Sequence, residues 1–290
     1  MGNAKPLGAP SLGLRLAGFV SMAGIVGVNA MGVVDHDTKS GMGCGAHWPL
    51  CHGALIPAFS NEAVIIEYVH RLLTLGFTIA LVVFLFDALR RYRTERLWKY
   101  LSRLLTGLLV VETIICTAGV LWAVPNAIMA WLMPVGLAAQ ALLWLMVRRN
   151  VRTRPLGKEG EAGRLHASTI SLAALALFGY LYLGAWISYA GPAGLTRGLM
   201  VVAGILLALF GLAWIVRDRQ AGVAIPYMAW PFLAAPFVVR FSRTTIMGDL
   251  AVYVWLSWLT GMFALRVMAG LRGPGTRVVE SQSVGDASSA

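Results

Sequence analysis

Eight apolar runs follow one another along this chain, at about residues 13–34, 63–87, 102–122, 127–147, 168–189, 199–216, 224–240 and 247–268. A membrane-crossing helix needs about 20 mostly apolar residues. In lipid each backbone polar group must be satisfied within its own segment, so such runs become helices. Composition points the same way, with 58% hydrophobic and 13% charged residues, against roughly 45–50% and about 25% in soluble domains. The expected fold is an all-α integral membrane protein, with eight transmembrane helices as two pseudo-repeated four-helix bundles. Pro226, Pro231 and Pro236 interrupt the seventh run. Proline is tolerated in a membrane helix where neighbours satisfy the freed backbone groups.

A net charge of +11 invites a nucleic-acid partner, but the placement of the charge argues against one. Most of the 24 Lys and Arg residues lie before the first run, after the second, fourth and sixth, or at the chain end. Lys39, Arg71, Arg197, Arg240 and Arg243 fall on the other side. This is the positive-inside pattern. It predicts a multi-pass protein of the cell membrane with both termini cytoplasmic and the loop around Cys44 facing outward. Membrane lipid is then the expected partner of the basic loops. The first run is read as an uncleaved helix, since it is longer than a signal-peptide core and no small-residue cleavage site precedes Asp35.

The basic stretch 148–166 divides the chain. Residues 1–147 form an N-terminal four-helix half, 167–272 a C-terminal half, and 273–290 a polar tail expected to be disordered.

Cys44 and Cys51 stand in a Gly- and Pro-rich loop between the first two runs. A disulfide fits an outward-facing loop able to turn. Two rivals remain open: a zinc site using Cys44, His47, Cys51 and His52, and two free thiols. Cys116, inside the third run, is expected to be a small core residue. Glu67 and His70 open the second run at i and i+3 and share a helix face. The imidazole can bind heme iron axially, and the carboxylate can move protons or stabilise positive charge. Equally, Glu67 can simply bridge to Arg71 at i+4.

Together, Thr38, Ser40-Gly41, Gly43-Cys44, Trp48-Pro49-Leu50-Cys51-His52-Gly53, Pro57 and Ile66-Glu67-Tyr68 followed by His70-Arg71 resemble the heme A synthase family. The likeness is specific over about residues 32–75. Beyond that it is one of layout, with faint similarity at Val124-Pro125-Asn126-Ala127. The resemblance implies a membrane oxidoreductase that converts heme O to heme A, oxidising a porphyrin methyl group to formyl, for terminal oxidase biogenesis. It implies substrate heme in the N-terminal half and a heme b cofactor in the C-terminal half. By the same likeness Cys44 and Cys51 match a disulfide pair and Glu67 the catalytic carboxylate. His70 matches an axial iron ligand, with Arg71 beside it as a cofactor-binding residue. A heme O synthase, terminal oxidase assembly proteins or a second copy of the chain would be its protein partners.

The departures are as informative. The family pattern has further histidines on the fourth, sixth and eighth spans. This chain has five in all, His36, His47, His52, His70 and His166, and none within 167–290. A bis-histidine heme b site in the second half is therefore excluded. The fourth-span position falls near Trp131 or Leu132. Met129 and Met133 lie in that span, where packing is the default reading and axial ligation the rival. Gly191-Pro192-Ala193-Gly194 replaces a second cysteine loop. Two functions remain: the family's oxidation carried by the N-terminal half, or a non-catalytic heme-binding or cytochrome oxidase assembly protein. A transporter fits poorly, because the polar signal lies at one surface rather than at the midplane.

Other residues carry blander expectations. Glu112, mid-span, is expected to pair with a neighbouring helix. Arg240, Arg243 and Asp249 are expected at the interface, and His36, His47 and His52 in the outer loop. Trp48, Trp122, Tyr189 and Tyr253 at one boundary, and Trp98, Trp144 and Trp214 at the other, read as aromatic belts.

Overall fold

The computed structural model describes residues 10–46, 50–122, 124–151, 167–191, 193–220, 229–238 and 245–270. Its elements are α1 (Leu12–Thr38), α2 (Glu62–Arg91), α3 (Arg96–Leu121), α4 (Asn126–Met129), α5 (Leu132–Val151), α6 (Ala167–Ala190), α7 (Gly194–Gln220), α8 (Trp230–Val238) and α9 (Ile246–Gly270). Among the described residues seven segments are long and apolar enough to cross a membrane. The seventh expected run is described only as α8; its first residues, with Pro226, lie outside the described residues, as do Arg240 and Arg243.

The fourth run is broken rather than continuous. Pro134 has no N–H to give the carbonyl of Ala130, four residues earlier, and its ring crowds that carbonyl. The helix divides there into α4 and α5, although the two together still make one span-length segment.

Two cores form. One joins α1, α2, α3 and α5 through Leu14, Ile25, Phe77, Phe84, Trp98, Leu105 and Leu143. The other joins α6, α7, α8 and α9 through Tyr180, Phe210, Trp214, Phe232, Trp255 and Leu259, and takes in Leu137 of α5.

The α1–α2 contact rests on small residues. A Cβ on Gly18 would lie 3.1 Å from the Phe84 ring, and one on Gly24 3.0 Å from Phe77 Cβ. Further along, Gly27 faces Leu73 and Gly32 faces His70, at 4.0 and 3.9 Å. Without a hydrophobic force between helices in lipid, small residues that let backbones approach supply the packing. The ladder runs antiparallel and ends with His70 against the last turns of α1. By contrast α2 packs chiefly on α1 and α3 chiefly on α5, with little contact between α2 and α3. Toward the cysteine loop both show bare apolar faces, including Val69, Leu72 and Leu75 on α2 and Val110, Ile114 and Leu121 on α3.

The two cores are joined by a polar bridge inside the span. Gln140 Oε1 accepts from Asn29 Nδ2 of α1 at 3.0 Å and from Tyr253 Oη of α9 at 2.7 Å. Glu112 of α3 belongs beside it: its carboxylate lies against Gly136 of α5, close to Asn29. At the opposite end from the cysteine loop, Arg149 pairs with Glu95 at 2.9 Å, and Arg90, Arg148 and Arg266 lie over Phe86, Trp144 and Trp214.

Several expectations need correction. Cys116 is exposed on α3, not in the core, where α2 packs little against that helix. Trp98 and Trp214 are buried, Trp98 stacked on Tyr92 at 4.2 Å, and Tyr253 is buried in the bridge; none belongs to a belt. Trp122, at 68% exposed, keeps a belt position. Helix α1 runs one turn further than expected, so His36 is helical and packs on Tyr189 of α6.

Candidate functional site

The site is assembled by the loop between α1 and α2. Lys39 adopts a left-handed conformation (φ 55°) and caps α1, and Asn61 caps α2 by accepting the Val64 N–H at 2.9 Å. Between these caps the chain folds back over the first turn of α2. Gly43 is required there, since a Cβ would fall 2.3 Å from the Ala63 carbonyl oxygen.

Cys44 and Cys51 are joined by a disulfide, which answers the choice left open between disulfide, zinc and free thiols. Both cysteines are buried and pack on Val64, with Tyr68 alongside. Among the described residues no cluster of three or more His, Cys, Asp or Glu side chains is arranged to hold a metal ion. His52, at φ 51°, bonds its Nε2 to Gly43 O at 2.7 Å and its N–H to Cys44 O at 3.0 Å, which fixes the loop. His47 and Trp48 lie outside the described residues, as does His166.

Glu67 is 4% exposed and lies under this loop. Its Oε2 accepts the Cys44 N–H at 2.6 Å. Its Oε1 accepts from Arg71, through Nε at 3.0 Å and also through Nη2. Arg71 in turn donates to Leu50 O at 2.5 Å and Gly45 O at 2.9 Å. A guanidinium has five N–H donors in a rigid fork, so the clamp leaves one on Nη1 for anything else. Thus the i, i+4 bridge and the loop contacts coexist: Glu67 is held by a cation on one side and a disulfide-bearing loop on the other.

His70 stands one turn further along α2. Among the described residues its ring makes one polar contact, Nδ1 to Asp35 Oδ2 of α1 at 3.8 Å. Its side chain is 25% exposed. Nε2 therefore stands without a protein partner, next to Gly32 and on the helix whose neighbour α3 stays apart. A neutral imidazole with a free Nε2 at the edge of an apolar opening suits axial ligation of a porphyrin iron, so the N-terminal residues fit a heme. The C-terminal half does not: residues 167–290 contain no histidine, and its interior is filled by Tyr180, Phe210, Trp214 and Phe232.

Met129 and Met133 fall where packing places them. Met129 Sδ lies 3.0 Å from the Cβ position of Gly119 on α3, and Met133 packs against the C-terminal core. Asp35 escaped the sequence reading. The signal for it is its i+3 relation to Gly32 on the α1 face that meets α2.

The chain is thus an all-α, multi-pass membrane protein with a disulfide-locked loop over a Glu/His helix start. No family model matches it. It is 35% identical to the heme A synthase of Geobacillus thermodenitrificans over 234 residues, 77% of this chain and 62% of that protein. It is 33% identical over 134 residues to the heme A synthase of an Exiguobacterium species, covering 45% and 43% of the two chains. With the heme A synthase of Halalkalibacterium halodurans it shares 29% identity over 187 residues, 61% and 59%. The chain therefore spans roughly two fifths to three fifths of the length of these relatives. Over these stretches the chain is similar to heme A synthases.

Proposed function

We propose that the chain is a cell-membrane oxidoreductase of heme A biosynthesis that oxidises a methyl substituent of heme O to a formyl group, with its loop end extracytoplasmic and both termini cytoplasmic. The observation that carries this is one helical turn of α2. Glu67 is buried and held by Cys44 N–H and Arg71, while His70, three residues on, keeps Nε2 free.

In this reading heme O is the substrate; taking its methyl group to formyl removes four electrons and adds one oxygen atom, so an external electron acceptor and an oxygen source, water or dioxygen, must be supplied to the chain. His70 binds that iron and sets the height of the ring along α2. Glu67, one turn toward the loop, would stand beside a porphyrin held by His70. A carboxylate fixed there stabilises positive charge that develops at the carbon being oxidised, without reorganising at the moment of reaction. The Arg71 clamp and the Cys44–Cys51 loop hold Glu67 at that position and keep water from the edge of the site. The exposed apolar faces of α2 and α3 would border lipid in a membrane, which suits an apolar substrate dissolved there.

The alternative is a non-catalytic heme-binding or oxidase assembly protein. What favours it is the filled C-terminal core and its lack of histidine, which leave the chain without a heme b site there. Co-expression with a heme O-producing enzyme, followed by chromatography of extracted hemes, separates the two. Heme A should accumulate with the wild-type chain. With Glu67→Ala it should fall to background while heme stays bound, and with His70→Ala the low-spin heme spectrum should vanish. Bound heme O with no heme A from the wild-type chain would leave only the assembly reading.

A further inference from the structure

The carboxylate that faces His70 from α1 has no place in the Glu-x-x-His motif. Asp35 lies one turn beyond Gly32, on the face of α1 that meets α2. Its backbone carbonyl is anchored by the N–H groups of Lys39 and of Ser40, the latter at 2.9 Å. Its side chain is 16% exposed, and its Oδ1 is buried with no hydrogen-bond partner. Oδ2 is directed at His70 Nδ1, 3.8 Å away, and a Cβ on Gly41 would lie 3.2 Å from that oxygen. A carboxylate this poorly satisfied in a largely buried place is costly. The cost is met if it accepts a proton-bearing nitrogen, and among the described residues His70 Nδ1 lies near enough to supply one.

We propose that Asp35 is a positioning residue for the iron ligand. It accepts the Nδ1–H of His70 and so selects the tautomer whose Nε2 carries the lone pair. Ligating histidines commonly donate their second nitrogen to a carboxylate, which fixes the ring orientation and raises its basicity. Contacts of this kind are often long before the site is filled and tighten on binding. Gly32 leaves the ring room to turn, and Asp35 sets the turn it takes.

The proposal rests on the reading of His70 as the ligand, and the test separates the two. Full-length protein labelled with 15N-histidine is purified in detergent without heme, and the imidazole nitrogens are read by NMR, His70 being assigned by its loss in His70→Ala. Iron protoporphyrin IX is then titrated into the wild type, Asp35→Asn, Asp35→Glu and His70→Ala. The expected result is a wild-type Nδ1–H tautomer that becomes mixed in Asp35→Asn, a 10- to 100-fold weaker affinity in that variant, and recovery in Asp35→Glu. If His70→Ala binds with an unchanged spectrum, the ligand reading falls. If His70→Ala loses the spectrum while Asp35→Asn keeps both the wild-type tautomer and affinity, the Asp35 assignment alone is overturned. Should Asp35→Asn elute as misfolded protein, Asp35→Ser is read in its place by the same two criteria.

Discussion

Replacing Arg71 by Met keeps the aliphatic stem and removes the guanidinium, and so asks what holds the loop on Glu67. Contacts to Glu67 Oε1 through Nε and Nη2, and to Leu50 O and Gly45 O, disappear together. Glu67 remains buried with the Cys44 N–H as its hydrogen-bond donor. The paired side chains are only 10% and 6% exposed, so solvent screening discounts the interaction little. Removing one partner of a buried pair costs about 3–5 kcal/mol. The two carbonyls lie at a wetter edge, can turn to water, and add about 1 kcal/mol at most. Nearly all of this cost falls on the docked loop, because the rest of α2 is held by the glycine ladder on α1. An opening free energy lowered by about 3–5 kcal/mol speeds amide exchange at Cys44 by roughly 10²- to 4 × 10³-fold, at 1.4 kcal/mol per tenfold. Hydrogen-exchange mass spectrometry of the peptide spanning 40–55, with the disulfide intact, measures it. Arg71→Lys should recover only part, since a point charge cannot bridge carboxylate and two carbonyls at once. Exchange in Arg71→Met within threefold of the wild type would refute the clamp.

The other changes probe the loop seat and the bridge between the cores. Gly43→Ala puts a methyl group 2.3 Å from the Ala63 oxygen and 2.4 Å from its carbon. The backbone cannot give way there, so a cost of about 1–3 kcal/mol should lower the thermal midpoint and speed reduction of Cys44–Cys51 by added thiol; no change in either would reject the seat. Tyr253→Phe removes the bond to Gln140 and should cost about 0.6 kcal/mol, as interhelical hydrogen bonds in membranes do on average. A double-mutant cycle with Gln140→Leu measures the coupling, and a value of zero would contradict the bond.

The apolar runs were legible because span length and loop charge are strong, local signals. Six of the eight runs emerge as single long helices, and the motif in 38–71 led directly to the disulfide and to Glu67 beside Arg71. What stayed hidden depends on which neighbour a helix face meets. Hydrophobic residues face lipid and core alike in a membrane, so nothing in the sequence around Cys116 says that it stays exposed. Trp98 and Trp214 lie near helix ends, where belts form, yet are packed inward against Tyr92 and Phe232, and Tyr253 sits inside the span on Gln140. Pro134 was visible, but the break it makes at Ala130 needed the backbone. Asp35 read as the end of a helix because the partner that gives it meaning, His70, is 35 residues away in sequence.

The two halves divide the work unequally. The C-terminal core is filled by its own aromatic side chains and residues 167–290 contain no histidine, while the N-terminal half keeps α2 and α3 apart beside His70. Yet the second half still shapes the first. Asn29 and Gln140 tie the middle of α1 and α5 to Tyr253 of α9. Near the loop, His36 bonds Ser188 Oγ at 3.1 Å and packs its ring at a tilt on Tyr189, both of α6. His36 is the residue next to Asp35, so α6 fixes the rotation of the last turn of α1, and that rotation aims Asp35 at His70. The C-terminal half thus reaches the Asp35–His70 contact through α1, which it holds at two heights.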